Sequence, residues 1–182
     1  MDLLQEVAIK YGELLNKDYH IEATYKEKII NIYFFFLPEH FYHLIGFHKL
    51  LDMKELTRPK FLCPNIISHK ITYDLIKNSK FIDDIHDRLQ NFYRINELIK
   101  HLKSGEAVIE FSQKNRTRIK ADFLLYDLSN KLYAHLFLRN NGKHGYAPCS
   151  FFCRGDEKYI WNNKKYRIKE FAINERDICG KK

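Results

Sequence analysis

An α+β fold is predicted, with N-terminal helices and a small hairpin packed on one face of a C-terminal antiparallel meander sheet. Three observations predict it. Apolar residues recur at three- and four-residue spacing through most of residues 1–104, they alternate singly across about 105–173, and short polar turns punctuate the second stretch. The 182 residues fit one domain ending in a short C-terminal tail, and 45% hydrophobic with 15% aromatic residues provide a sizeable core and exclude a disordered chain.

Leu3, Leu4, Val7, Tyr11, Leu14 and Leu15 make one face of an amphipathic helix over Asp2–Asn16. Tyr19–Tyr25 and Lys28–Phe36, rich in Ile, Tyr and Phe and separated by Lys26-Glu27, predict the hairpin. Pro38 suits the first turn of a helix over Pro38–Leu51, whereas Thr57–Pro64, with Pro59 and Pro64, reads as a connector. A short helix from Ile71 to about Asn78 precedes a long one, capped by Ser79 and running to about Lys103, whose apolar positions from Ile82 to Leu102 keep helical spacing. Beyond Gly105, strands are expected over Glu106–Phe111, Ile119–Asp127, Lys131–Arg139 and Tyr146–Arg154, and as a pair around Lys158–Trp161 and Lys164–Phe171. Ser129-Asn130, Asn141-Gly142 and Asn162-Asn163 supply the turns.

The longest apolar run, Ile29–Leu37, is broken by Asn31 and falls short of the roughly 20 residues a membrane helix needs. The start of the chain lacks the features of a secretory signal, so a cytoplasmic protein is expected. Cys63, Cys149, Cys153 and Cys179 contain no C-x-x-C pair; Cys149 and Cys153, four apart on one strand, are expected on the same face as reduced, buried thiols. Lys plus Arg number 31 against 23 Asp plus Glu, a net charge of +8 that favours a polyanionic partner.

Alternation divides the meander into two faces. One is apolar, carrying Ile119, Ala121, Phe123, Leu125, Leu132, Ala134, Leu136, Leu138, Ala147, Cys149, Phe151, Cys153, Tyr166 and Ile168. The other interleaves rings with cations: Lys120, Asp122, Tyr126, Tyr133, His135, Phe137, Arg139, Tyr146, Ser150, Phe152, Arg154, Lys165, Arg167 and Lys169. Flat rings on which bases stack and positive charge that tracks phosphates are what single-stranded nucleic acid requires, and Tyr133, Phe137, Arg139, Tyr146, Arg154, Lys165 and Arg167 are the candidate binding residues. An aromatic ladder stabilising a half-exposed sheet is the bland account of the same pattern.

The segment His40–Leu50 holds His40, His43 and His48. Helical spacing puts His48 in the middle of an apolar stripe with Phe41, Leu44, Ile45 and Leu51, either as a core histidine or as a general acid or base. No H-E-x-x-H is present, so zinc has little support. Asp83, Asp84, His86 and Asp87 lie near a helix start, where the dipole favours carboxylates without any metal. Walker, G-x-G-x-x-G, G-x-S-x-G and kinase signatures are absent.

The H-L-x-G-x-H-K-L pattern of His43–Leu50, the helix from Asn78-Ser79 to Arg88, the strands Ala121–Tyr126 and His135–Leu138, and Ser150-Phe151-Phe152 together resemble the phage-associated barnase, EndoU, colicin and RelE-like nucleases. The resemblance covers about Ile29–Phe171. It implies a metal-independent RNA endonuclease without cofactors, of toxin or phage-effector type, with RNA as partner and an inhibitor or antitoxin protein as a further one. The residues that match are His43, His48, Lys49, Arg88, His135 and Ser150. No acidic base matches beyond Asp122. Within this scheme His135 and His48 are the expected acid–base pair for attack of a ribose 2′-hydroxyl on phosphorus, giving a 2′,3′-cyclic phosphate. A non-catalytic module that binds RNA or an acidic protein through the same face is the alternative.

Overall fold

Asp2 opens the first helix, α1 (Leu3–Gly12), by accepting the Gln5 N–H on its carboxylate at 2.8 Å, and α1 buries Leu4, Val7, Ala8 and Tyr11. The computed structural model describes residues 2–53, 56, 58–103, 105–111 and 117–176; Cys179 and the end of the expected tail lie outside the described residues. The hairpin forms as β1 (Lys17–Tyr25) and β2 (Lys28–Phe35). Only α2 (His40–Leu44) and a separate 3-10 turn at Phe47–Lys49 form within the helix expected over Pro38–Leu51, and Leu51 is 55% exposed rather than part of an apolar stripe.

A helix, α3 (Pro59–Ile67), replaces the expected connector. Pro59 occupies its first turn, where a missing N–H costs nothing, and Leu62, Cys63 and Ile66 are buried. After α4 (Tyr73–Ile76), the expected long helix is two: α5 (Asp83–Gln90) and α6 (Arg94–His101). Ser79 does not cap it. Its hydroxyl donates to Asp52 at 2.6 Å and accepts from the Phe81 N–H at 3.1 Å, which holds the following residues in a turn. Asn91 then donates its side-chain amide to the Asp87 carbonyl at 2.8 Å, competing with the helical ladder, and Phe92 in the break is buried against Tyr11, Phe41 and Phe151.

The expected meander is present as β3 (Ala107–Glu110), β4 (Phe123–Ser129), β5 (Leu132–Asn140) and β6 (Tyr146–Arg154), each antiparallel to the next. The last strand, β7 (Lys164–Glu175), returns to pair with β3 on one side and β1 on the other. The hairpin is therefore not an appendage among the helices but part of one closed sheet, in the order β1-β2-β6-β5-β4-β3-β7. Closure between β2 and β6 rests on one parallel pair, Phe34 with Tyr146. No helix among the described residues is long and apolar enough to cross a membrane.

Two local features redraw the expected faces. Leu138 opposes Pro148 and Phe137 opposes Ser150, so Cys149 is a bulge residue; beyond it the alternation shifts, and Cys149 and Cys153 pack into clusters on opposite faces, both as free thiols. Residues 158–161 form turns rather than a strand, and Tyr159 and Ile160 are buried over Ile109, Phe111, Leu124 and Phe137. Ile119 and Ala121, expected on the main apolar face, join this second core. The main core fills the space between the helices and the inner sheet face, where Ile21, Phe34, Val108, Leu125, Leu136, Phe151 and Tyr166 meet Phe41, Leu44, Leu89 and Phe92.

Candidate nucleic-acid cleft

Gly46 sets the geometry of the site. It takes φ +81°, a left-handed conformation that costs other residues about 1–2 kcal/mol, and it ends α2 after Ile45. Its missing side chain also matters, because a Cβ there would stand 3.1 Å from Ile85 and 3.4 Å from Arg88. The reversal frees the last carbonyls of α2, and Arg88 on α5 donates one guanidinium nitrogen to those of His43 at 3.2 Å and Leu44 at 3.4 Å. It also folds the 3-10 turn back, so that His43 and His48 face each other with ring centroids 5.1 Å apart.

These two rings open into a cleft of about 540 Å³, lined further by Lys49, Arg88, Arg118, Lys120, Arg139 and Ser150, with Ile119, Cys149 and Phe152 as its apolar part. Among the described residues, no Asp or Glu lines it. The bulge at Cys149 brings Ser150 to this side of β6. Lys49 is anchored by donating to the Asp84 carbonyl at 3.0 Å.

A crowded cation cluster changes the acid–base chemistry. Partial burial pushes His48 down to about 4, helped by the positive fields of His43, Arg88 and Lys49. His43 moves down through burial and then Arg139, Lys49 through burial and then Arg88, and Arg88 falls to about 10 through burial. Near neutral pH the cleft therefore offers a neutral imidazole beside fixed positive charge, which suits proton abstraction next to an anionic phosphodiester.

The structure thus brings together His43, His48, Lys49, Arg88, Ser150 and Arg139 from the sequence-based candidates, and excludes others. His135 is 0% exposed in the second core, stacked on Phe152 at 5.3 Å, met edge-on by Tyr159 at 5.9 Å, and hydrogen-bonded through Nδ1 to the Tyr133 carbonyl. It cannot reach a substrate in the cleft. Alternation correctly put it opposite the main core, but the turns of residues 156–163 cover that patch. Phe137 is buried by the same cover.

The remaining candidates are spread apart. Tyr133 gives its hydroxyl to Glu157; Arg154 is paired with Asp156 at 2.6 Å over the Tyr159 ring; Tyr146 packs edge-on against Phe123 at 5.1 Å. Lys165 and Arg167 are exposed on β7, three strands from β5 and so roughly 14 Å across the sheet. Arg118 was not singled out from the sequence and Lys120 was placed on the polar face but not in the site. The alternating cations of Arg118-Ile119-Lys120, just before β4, were the available signal. The described residues contain no group of three or more His, Cys, Asp or Glu arranged to hold a metal ion.

A family model described as phage-Barnase-EndoU-ColicinE5/D-RelE like nuclease4 matches residues 3–178. No curated protein and no solved structure matches the chain.

Proposed function

Because the chain belongs to the phage-Barnase-EndoU-ColicinE5/D-RelE like nuclease 4 family, whose substrates are nucleic acids, we propose that its cleft is the active site of an RNA endonuclease of phage-effector or toxin type. The observation that carries this reading is the His43–His48 pair, ring centroids 5.1 Å apart, inside a cleft that the described residues line with cations and no carboxylate. His48, whose proton is held least tightly, takes the proton from a ribose 2′-hydroxyl. The 2′ oxygen attacks phosphorus in line, the P–O5′ bond breaks, and His43 delivers a proton to the departing 5′ oxygen. His43 suits the acid role because fewer cations oppose its protonation, Arg139 being its one charged perturber.

Lys49, Arg118, Lys120 and Arg139 stabilise the charge that builds on the phosphoryl oxygens, and Arg88, committed in part to the α2 carbonyls, holds the two imidazoles in place. The products are a 2′,3′-cyclic phosphate and a 5′-hydroxyl, and no metal enters any step. Total RNA incubated in excess EDTA should be cut, with ends that map as cyclic phosphates, while DNA of the same sequence survives. His43→Ala and His48→Ala should each lower kcat by about 10² to 10⁴ with little change in RNA affinity. Cleavage that stops in EDTA, equal cutting of DNA, or His variants that retain full turnover would reject this scheme; binding of RNA without any cleavage would favour a non-catalytic module.

A further inference from the structure

An RNA strand that places one phosphate in the cleft must leave it, and two elements lead outward to the same neighbouring groove. Along α2, His43 lines the cleft while His40, three residues and about 4.5 Å of helix earlier, lies against Phe35 of that groove. Along the chain, Arg139 lines the cleft and His144, five residues on and at most about 18 Å away, lines the groove. The groove holds about 380 Å³ beside Tyr33, Phe35, His144 and Arg176.

Its distinguishing feature is a ring pair. Tyr33 on β2 and His20 on β1 are cross-strand partners stacked face to face, with centroids 4.2 Å apart and planes 6° from parallel. His20 is fixed by a 2.8 Å hydrogen bond with Asn31, so Tyr33 rests on a held support. Tyr33 is nevertheless 56% exposed, far more than its one stacking partner would leave if the ring were packed on both sides. Gly145, at φ +84°, lets the loop pass close beneath it, since a Cβ there would lie 2.4 Å from the Tyr33 carbonyl oxygen. The Arg176 guanidinium carbon sits over the Phe35 ring, 4.1 Å from its centroid, with Asp18 as its ionic partner at 3.4 Å.

We infer that Tyr33, backed by His20, is a second nucleotide subsite, stacking a base of the single-stranded RNA that runs out of the cleft past the Arg139–His144 loop. This rests on the ribonuclease reading above and adds a length requirement to it. A flat ring with one face free stacks any base, so the subsite would tighten binding with little sequence preference.

The test uses oligonucleotides of increasing length, centred on a cleavage site mapped in total RNA and extended on the 5′ or the 3′ side. For the wild-type protein, KM should fall as the strand is lengthened on one side. Tyr33→Ala should raise KM for the long substrate about 5- to 100-fold while leaving the shortest cleavable one unaffected, and Tyr33→Phe should behave as wild type. The shortest substrate doubles as a control for folding. If wild type cuts RNA but length has no effect, or Tyr33→Ala loses equally at all lengths, the subsite is overturned and the ribonuclease stands. If wild type cuts no RNA, both fall.

Discussion

His48 and His135 show how the same side chain serves opposite ends. Both are pushed down to about 4 and burial is the first cause of each, but His48 opens on the cleft and His135 is sealed. For His48 the neutral form is the active one and for His43 the protonated one, so kcat/KM, which reports the free enzyme, should be bell-shaped, with an acid limb that falls as pH drops through about 4 and an alkaline limb that begins below the ordinary histidine value of 6.5. Replacing Lys49 by Met removes one of the fields that lower His48 and should shift the acid limb to higher pH, toward the ordinary 6.5; a pH–rate profile on RNA checks this. For His135 the consequence is stability. The unfolded chain takes up a proton below about 6.5 and the folded one resists it until about 4, so folding free energy declines as pH falls through that window, by roughly 3 kcal/mol at its foot. His135→Phe should flatten that decline in denaturant titrations at pH 7 and pH 4.5, and should leave RNA cleavage intact.

At the scale of elements, the turn between α2 and the 3-10 turn decides whether the site exists. Gly46→Ala should cost about 1–2 kcal/mol from the backbone alone, and crowding against Ile85 and Arg88 should spread the His43 and His48 rings. Cleavage should therefore fall much further than thermal stability, which paired measurements of kcat and Tm would show. Here the limit of reading the sequence becomes physical. The pattern around His43, His48 and Lys49 was legible because the residues are close along the chain, yet helical periodicity ran the helix through Gly46 and put His48 in the core. A glycine inside a helical pattern is only a mild penalty locally; what makes it a break is the tertiary contact with Arg88, which no local spacing encodes. The α+β class and the meander were legible for a similar reason, since alternation and turn residues are local. Alternation assigned His135 and Phe137 to the face away from the helices, and it could not say that a turn more than twenty residues further along, carrying Tyr159 and Ile160, would fold back over them. The pairing of β7 with β1 was equally hidden, because strand partners distant in sequence leave no periodic trace.

For the whole molecule, part of the basic excess behind the net charge of +8 gathers at one place. Arg118, Lys120 and Arg139 add to Lys49 and Arg88 at one cleft, so RNA binding should weaken steeply with salt, and Arg118→Gln or Lys120→Gln should each reduce the slope of log affinity against log salt by about 0.7. Binding measured with RNA carrying a 2′-deoxy sugar at the cut site, across a salt series, tests this without turnover; unchanged slopes would place the phosphates elsewhere. The closed strand order carries a consequence for synthesis. Residues 17–25 find one of their two neighbours only in residues 164–175, well over a hundred positions later in the chain. A chain in synthesis therefore holds its first strand with a bare flank until residues 164–175 have followed it, and contacts so distant in sequence assemble slowly.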